Sequence, residues 1–241
     1  MTQIQLVALD VAGTTVEEHG AVYAALHEAV REAGSTATAA DVEHWMGAEK
    51  RAAIVGLLAT GGVLDAPDTV VDAAFARFGE LLAQAYAATP PVALPGVEAA
   101  IAALRTAGVK VALTTGFSRD VVDAILTTLG WTVAATPAQQ LDAAVTLDAV
   151  VAASEVGAGR PAPYMVHRAM EATGVLDVAA VATAGDTVRD LQAGTNAGAG
   201  MVLGVLTGQL GTTDEGRAAL AAQPHTALLG SVADLPAHLG L

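Results

Sequence analysis

Residues 4–9 read Ile-Gln-Leu-Val-Ala-Leu, a short apolar run that stops at Asp10. Its length and the Gly-containing turn behind it predict a buried strand. Beyond Thr15 the spacing changes. Residues 20–34, 40–46, 49–60 and 68–88 place apolar side chains three and four apart and predict helices. Phe75, Phe78, Leu81 and Leu82 form one such stripe, which reads as packing between helices. The segment Thr-Pro-Pro-Val-Ala-Leu-Pro-Gly at 89–96 then breaks the pattern.

From Val97 short apolar runs alternate with helical stretches. Residues 97–107 predict a helix ended by Gly108, and residues 109–113 a strand followed by Thr114, Thr115 and Gly116. Ser118 is placed to cap a helix reaching Gly130, with Asp120 in its first turn. Two apolar stretches, 131–135 and 147–153, flank a looser segment, and the second is the better strand. Pro161 is expected to start a helix running to Thr173. A strand at 178–184, a helix reaching Ala197, a strand at 201–206 and a short last helix at 231–239 complete the order.

This alternation predicts an α/β fold, a Rossmann-like parallel sheet covered on both faces, with an inserted helical cap. The expected division is a core of residues 1–16 and 91–241 and a cap of residues 17–90. Residues 16–20 and 89–95 would connect the two. Several predicted strands end in polar residues: Asp10, Thr115, Ser154 and Asp186. In a parallel sheet such ends share one edge, where open α/β sheets bind ligands.

Composition narrows the chemistry. The 241 residues are 53% hydrophobic, enough for a full core. With 25 acidic residues against 11 basic ones the formal charge is −14, a poor match to nucleic acid. A small anion remains an acceptable partner where cations are concentrated locally. The absence of cysteine excludes disulfides, thiolate metal sites and cysteine nucleophiles. The N-terminal residues lack a basic-then-apolar leader pattern, and the uncharged stretch 191–213 is too rich in glycine and polar residues to span a membrane. A cytoplasmic protein with no membrane partner is expected.

Asp10 reads either as a turn aspartate or as a nucleophile or metal ligand. Asp186 and Asp190 favour the second role, because carboxylates gathered at one point are tolerable around a hard cation such as Mg²⁺. Asp190 serves equally as a helix N-terminal residue. Thr115 and Arg160 supply a hydroxyl and a guanidinium suited to non-bridging phosphoryl oxygens. A surface arginine is the alternative for Arg160.

The segments Asp-Val-Ala-Gly-Thr-Thr, Thr-Thr-Gly, Gly-Arg-Pro-Ala-Pro-Tyr-Met and Gly-Asp-Thr-Val-Arg-Asp occur in the order found in haloacid dehalogenase-like hydrolases. Within that family the chain resembles the phosphonoacetaldehyde hydrolase (phosphonatase) branch, over nearly its whole length. The resemblance implies Asp10 as the nucleophile taking a phosphoryl group. It implies Mg²⁺ held by Asp10, Asp186 and the carbonyl of Ala12, with Asp190 in support. Thr115 and Arg160 would bind the transferring group, and Thr14, Gly116, Met46 and Gly47 would line the substrate. A homodimer contact through cap helices such as 20–34 is also implied.

Ala12 is the informative departure. Phosphatases of the family place a second aspartate there, as the acid that protonates the leaving oxygen, and a methyl group cannot transfer a proton. Losing a general acid costs roughly 10²–10⁴-fold in rate. Phosphonatases also carry alanine, because cleaving a C–P bond requires an electron sink for a carbanion. An amine supplies one by forming an imine with an aldehyde. The branch uses a lysine in a Met-Gly-x-x-Lys segment, and this chain reads Met46-Gly47-Ala48-Glu49-Lys50. Only Lys50 and Lys110 are lysines. Arg51 would help Lys50 shed its proton and Glu49 would oppose it. A solvent-facing lysine beside an acidic neighbour is the alternative.

The cap departs from the branch. Ala53 stands where phosphonatases have histidine, Gly20 near a cysteine position, Phe117 in place of tyrosine and Val11 in place of tryptophan. His19 and His44 are candidate proton carriers, or ordinary exposed histidines. The leading expectation is Mg²⁺-dependent cleavage of a small phosphonate through an aspartyl-phosphate. A phosphomonoesterase of small metabolites and a non-catalytic binding protein are the competing readings.

Overall fold

The computed structural model describes residues 3–134 and 145–241. It divides into two compact units, Met1–Glu17 with Val92–Leu241, and Glu18–Pro91. Most of the looser segment expected between the two apolar stretches lies outside the described residues.

The first unit begins with β1 (Leu6–Leu9) and β2 (Val16–Glu17). The second holds four helices, α1 (Ala21–Glu32), α2 (Ala39–Glu43), α3 (Lys50–Thr60) and α4 (Asp68–Ala88). In α4 the buried side is Val71, Ala74, Phe78 and Leu82, a stripe at helical spacing, whereas Phe75 and Leu81 are half-buried at its margin.

The first unit resumes at β3 (Val92–Ala93), which pairs antiparallel with β2. There follow α5 (Val97–Thr106), β4 (Lys110–Thr115), α6 (Arg119–Leu129), β5 (Trp131–Val133), β6 (Val145–Leu147) and β7 (Ala149–Ala152). Then come α7 (Tyr164–Thr173), β8 (Val181–Gly185), α8 (Val188–Ala197), β9 (Met201–Val205), α9 (Asp214–Ala221), β10 (Ala227–Leu229) and α10 (Leu235–His238).

Six of these strands form one parallel sheet in the order β10-β9-β8-β1-β4-β7. Every residue of β1, β7 and β8 is buried, which requires cover on both faces. On one side Met165, Val166 and Ala169 of α7 pack against Leu6, Ala112, Val151 and Val181. Leu191 of α8 joins Val202 and Leu220 in a second cluster. The fold is therefore the expected Rossmann-like α/β arrangement, with β1 between β8 and β4 at the point where successive connections diverge.

Several boundaries differ from the sequence reading. The apolar stretch 147–153 is not one strand, because β6 pairs with β5 and β7 joins the main sheet. Residues 178–180 form a 3₁₀ turn before β8, stabilised by the Asp177 side chain accepting from the Ala179 N–H. Strand β10 and helix α9 were not foreseen, since their alanine-rich, partly polar stretches carry little periodic signal. No helix among the described residues is long and apolar enough to cross a membrane.

Leu113 in β4 is fully buried, whereas Leu176 is 94% exposed. Leu113→Ala should lower the free energy of unfolding by about 2–5 kcal/mol, read from the urea midpoint. Leu176→Ala should stay within about 0.5 kcal/mol of the unaltered protein.

Candidate active site

The site grows from the carboxyl end of β1. In the ladder Leu9 pairs with Leu113 of β4 and with Ala184 of β8. The Asp10 N–H still donates to the Ala184 carbonyl at 2.9 Å, so Asp10 extends the sheet before the chain turns away. Its neighbours across the edge are the last threonines of β4 and Asp186 after β8. Ser154 does not join them: it sits exposed in the 3₁₀ turn Ala153–Glu155, because the chain bends away after β7.

Arg160 comes from the loop between β7 and α7. Pro161 does not start the helix, contrary to the sequence expectation. The Ala162 N–H closes a turn onto the Gly159 carbonyl, and α7 begins only at Tyr164. That turn carries Arg160 into the protein, where its side chain is 4% exposed, so it is not a surface arginine. Its Nη1 donates to Asp10 Oδ1 at 2.6 Å, and its Nη2 donates to the Thr114 carbonyl at 2.8 Å and to Thr114 Oγ1 at 2.9 Å. Its Nε lies 2.8 Å from Asp190 Oδ1. That oxygen nevertheless has no hydrogen bond, so the contact is close in charge but misaligned for the N–H.

Thr114 is a site residue that the sequence reading missed. Adjacent strand residues point to opposite faces, and it is Thr114 that meets Arg160. Thr115 is buried, and its Oγ1 accepts from the Phe117 N–H at 3.2 Å. Gly116, half-buried, follows at the end of the strand.

Asp186 follows β8 and is 6% exposed. Thr14, expected to line the substrate, donates its hydroxyl to Asp186 Oδ1 at 2.8 Å. Asp190 accepts through Oδ2 from the Thr187 N–H at 2.9 Å and from the Thr187 hydroxyl, while Thr187 Oγ1 accepts from the Asp190 N–H. This reciprocal cap starts α8. Asp190 therefore both caps a helix and faces the site.

Asp10, Asp186 and Asp190 each offer an oxygen within 4.8 Å of the others. Burial pushes the Asp10 carboxyl up to about 6, against the pull of Arg160, and the Asp190 charge adds to the rise. Burial likewise holds Asp186 well above the ordinary carboxylate range, reinforced by Asp10 and Asp190. Burial works against the Arg160 charge, but Asp10 and Asp190 outweigh it and leave the guanidinium above its usual value. Three buried carboxylates thus face one guanidinium, and one of their oxygens lacks a hydrogen bond. An all-oxygen set with surplus negative charge fits a hard divalent cation such as Mg²⁺. The Ala12 carbonyl, two residues after Asp10, is a further oxygen on the same loop.

The remaining candidates belong to the helical unit. Met46 is buried, and Gly47 adopts φ +72° inside a turn closed by the Ala48 N–H donating to the Trp45 carbonyl at 3.1 Å. Lys50 is 5% exposed, so it is not the solvent-facing lysine of the alternative reading. Its Nζ donates to the Ala48 carbonyl at 3.0 Å and lies 5.9 Å from the centroid of the Tyr23 ring. The Arg51 guanidinium pairs with Asp68 and Asp72. The Glu49 carboxylate is occupied as the cap of α3, accepting from the Arg51 and Ala52 N–H groups. Ala53 is fully buried and His19 and His44 are exposed, with His44 Nδ1 3.0 Å from the Ala40 carbonyl.

A family model described as haloacid dehalogenase-like hydrolase matches residues 4–198. A phosphonoacetaldehyde hydrolase-like protein of Syntrophobacter fumaroxidans is 35% identical over 53% of this chain and 42% of its own length. A Bacillus cereus protein named phosphonoacetaldehyde hydrolase is 35% identical over 58% of this chain and 49% of its own. The chain thus spans about half the length of these curated relatives. A crystal structure of a phosphonoacetaldehyde hydrolase-like protein from Oleispira antarctica superposes with a TM-score of 0.81 at 20% identity, covering 99% of this chain and 92% of that one. At that identity the likeness concerns the fold.

The raised Asp10 and Asp186 carboxyls fix a pH dependence. The folded, metal-free protein holds protons that the unfolded chain has already lost. For Asp10 the stabilising contribution is complete below the ordinary carboxylate value of 3.8 and is lost as pH rises through about 6, and the raised Asp186 carboxyl acts in the same direction. Mg²⁺ competes with those protons. Excess MgCl₂ should therefore raise the melting temperature clearly at pH 7.5 and much less at pH 5. At a concentration about 100 times its Kd the gain corresponds to about 2.7 kcal/mol. Asp186→Asn should abolish the difference, as followed by differential scanning calorimetry.

Proposed function

The chain belongs to the haloacid dehalogenase-like hydrolases, and on that premise we propose that it transfers a phosphoryl group from a small phosphonate to Asp10 and then to water. The observation that carries this reading is the grip of Arg160 on Asp10 Oδ1 at 2.6 Å, inside the cluster formed with Asp186 and Asp190. An oriented, desolvated carboxylate beside a fixed cation suits a nucleophile that attacks phosphorus.

Asp10, Asp186 and the Ala12 carbonyl would hold Mg²⁺, which when bound supplies positive charge for the phosphoryl oxygens. Arg160 does two things. It holds one oxygen of the Asp10 carboxylate by a hydrogen bond, and its charge would stabilise the equatorial oxygens as phosphorus moves toward Asp10. Thr115, buried at the end of β4, would donate its hydroxyl to a phosphoryl oxygen. Thr14 orients Asp186 through its hydrogen bond, so its part in the reaction is indirect.

The methyl group of Ala12 supports C–P cleavage over ester hydrolysis, because position 12 offers no proton to a departing alkoxide. The proposal gives Lys50 the complementary role on its chemistry. Its amine condenses with the substrate aldehyde and releases water. As Asp10 Oδ bonds to phosphorus, the C–P bond breaks and its electron pair moves into the protonated imine, whose nitrogen keeps the proton, to leave a neutral enamine. Protonation at carbon and hydrolysis then release the aldehyde and free Lys50. Water finally cleaves the aspartyl-phosphate.

Phosphonoacetaldehyde and p-nitrophenyl phosphate separate the readings. Lys50→Ala should abolish turnover of the first while sparing any slow release from the second, whose leaving group needs no acid. Asp10→Asn should lower both by roughly 10³-fold or more. Borohydride added with phosphonoacetaldehyde should reduce the imine and label Lys50, as read by peptide mass spectrometry. A Lys50→Ala protein that still cleaves the phosphonate ends the imine step, and brisk hydrolysis of metabolite phosphate esters would make the protein a phosphomonoesterase.

A further inference from the structure

The loop after β9 contains Thr207 and Gly208, which neither the sequence motifs nor the mechanism uses. Gly208 has φ −83° and ψ 179°, an ordinary extended conformation open to any residue. Its lack of a side chain answers a different demand. A Cβ there would fall 1.8 Å from Asp186 Oδ2, 2.4 Å from Cγ and 2.7 Å from Cβ. Since the clash reaches the root of the aspartate side chain, rotating the carboxylate does not relieve it.

The same oxygen is pressed from a second direction. A Cβ on Gly13 would lie 2.6 Å from Asp186 Oδ2, and Gly13 also needs φ +80°. The two glycine segments are tied together, because Thr207 Oγ1 donates to the Gly13 carbonyl at 2.6 Å. Thr14 holds the other oxygen, Oδ1. The carboxylate is thus walled by backbone at one oxygen and hydrogen-bonded at the other.

The wall behind Gly208 has little room to give. The Leu206 N–H donates to the Leu229 carbonyl of β10 at 3.1 Å, and the Gly211 N–H closes a turn onto the Gly208 carbonyl at 3.0 Å. Arg217 of α9 donates to the Gly211 carbonyl from outside. A methyl group at position 208 therefore displaces Asp186 more readily than it displaces the loop.

We propose that Gly208 and Thr207 are positioning residues that set the Asp186 carboxylate for a divalent cation. This rests on the cation reading of the site but not on any particular substrate. Groups that orient a metal ligand typically contribute 10- to 100-fold in metal affinity.

Isothermal titration of MgCl₂ into the metal-free full chain at pH 7.5 tests it. Gly208→Ala should raise the Mg²⁺ Kd roughly 10- to 100-fold. Thr207→Val should raise it by a smaller factor, and Thr207→Ser, which keeps the hydroxyl, should return it to within about twofold of the unaltered protein. Gly157→Ala, whose added Cβ meets nothing within 4 Å, should leave binding unchanged. Far-UV circular dichroism checks folding, and if Gly208→Ala does not fold, the Thr207 pair decides. Unchanged affinity in both Gly208→Ala and Thr207→Val overturns the proposal, as does an unaltered protein that takes up no Mg²⁺. Weakened Mg²⁺ binding in a protein inert toward phosphonates and phosphate esters upholds this role and removes the functional reading alone.

Discussion

One guanidinium holds this site together. Arg160 reaches Asp10 and Thr114 by hydrogen bonds and Asp190 by charge, from a side chain almost closed to water. Burying an ion pair brings a desolvation penalty that the attraction often fails to offset. Here the imbalance is larger, because three carboxylates share the region. Burial raises Asp10 and Asp186 as a consequence. Stability alone does not account for such a cluster. Three carboxylates offer complements to a cation and the guanidinium offers one to an anion, which is the feature that the proposed phosphoryl chemistry uses.

The parallel sheet makes the cluster geometrically cheap. Strands β1, β4 and β8 are adjacent and in register, so the residues that follow them meet without long loops. Only Arg160 must be brought from further away, and the turn at residues 159–162 does this. Small residues then do the fitting. Gly13 and Gly208 let backbone approach one oxygen of Asp186, while Thr14 and Thr207 tie the loops that carry them. Asp190 is economical in the same sense, capping α8 with one oxygen and leaving the other toward Arg160.

Ala12 and Lys50 are the two residues on which the proposed substrate class rests. In that proposal the methyl group at position 12 offers no proton to a leaving group, and the buried amine of Lys50 would supply the electron sink. In the helical unit the lysine is held by the Ala48 carbonyl and lies near the Tyr23 ring, while its charged neighbours Glu49 and Arg51 are engaged elsewhere. Ala53 is fully buried on the same helix.

Most of the strands and helices, the parallel sheet and the carboxylates Asp10 and Asp186 could be read from the amino-acid sequence, because apolar periodicity and residues at strand ends are local signals, whereas β10 and α9 carry too little of that signal. The motif-bearing segments added Arg160 and the missing acid at position 12. Tertiary structure decided the rest. It selected Thr114 over its neighbour as the partner of Arg160, since two adjacent threonines look alike until a strand assigns them to opposite faces. It moved the start of α7 past Pro161, and it buried Lys50, whose surroundings come from separate segments of an alanine-rich unit. It gave Gly208 a purpose, since a glycine required by a neighbour's bulk leaves no trace in its own vicinity. Contacts between residues distant along the chain depend on how elements pack, and packing is a property of the whole fold.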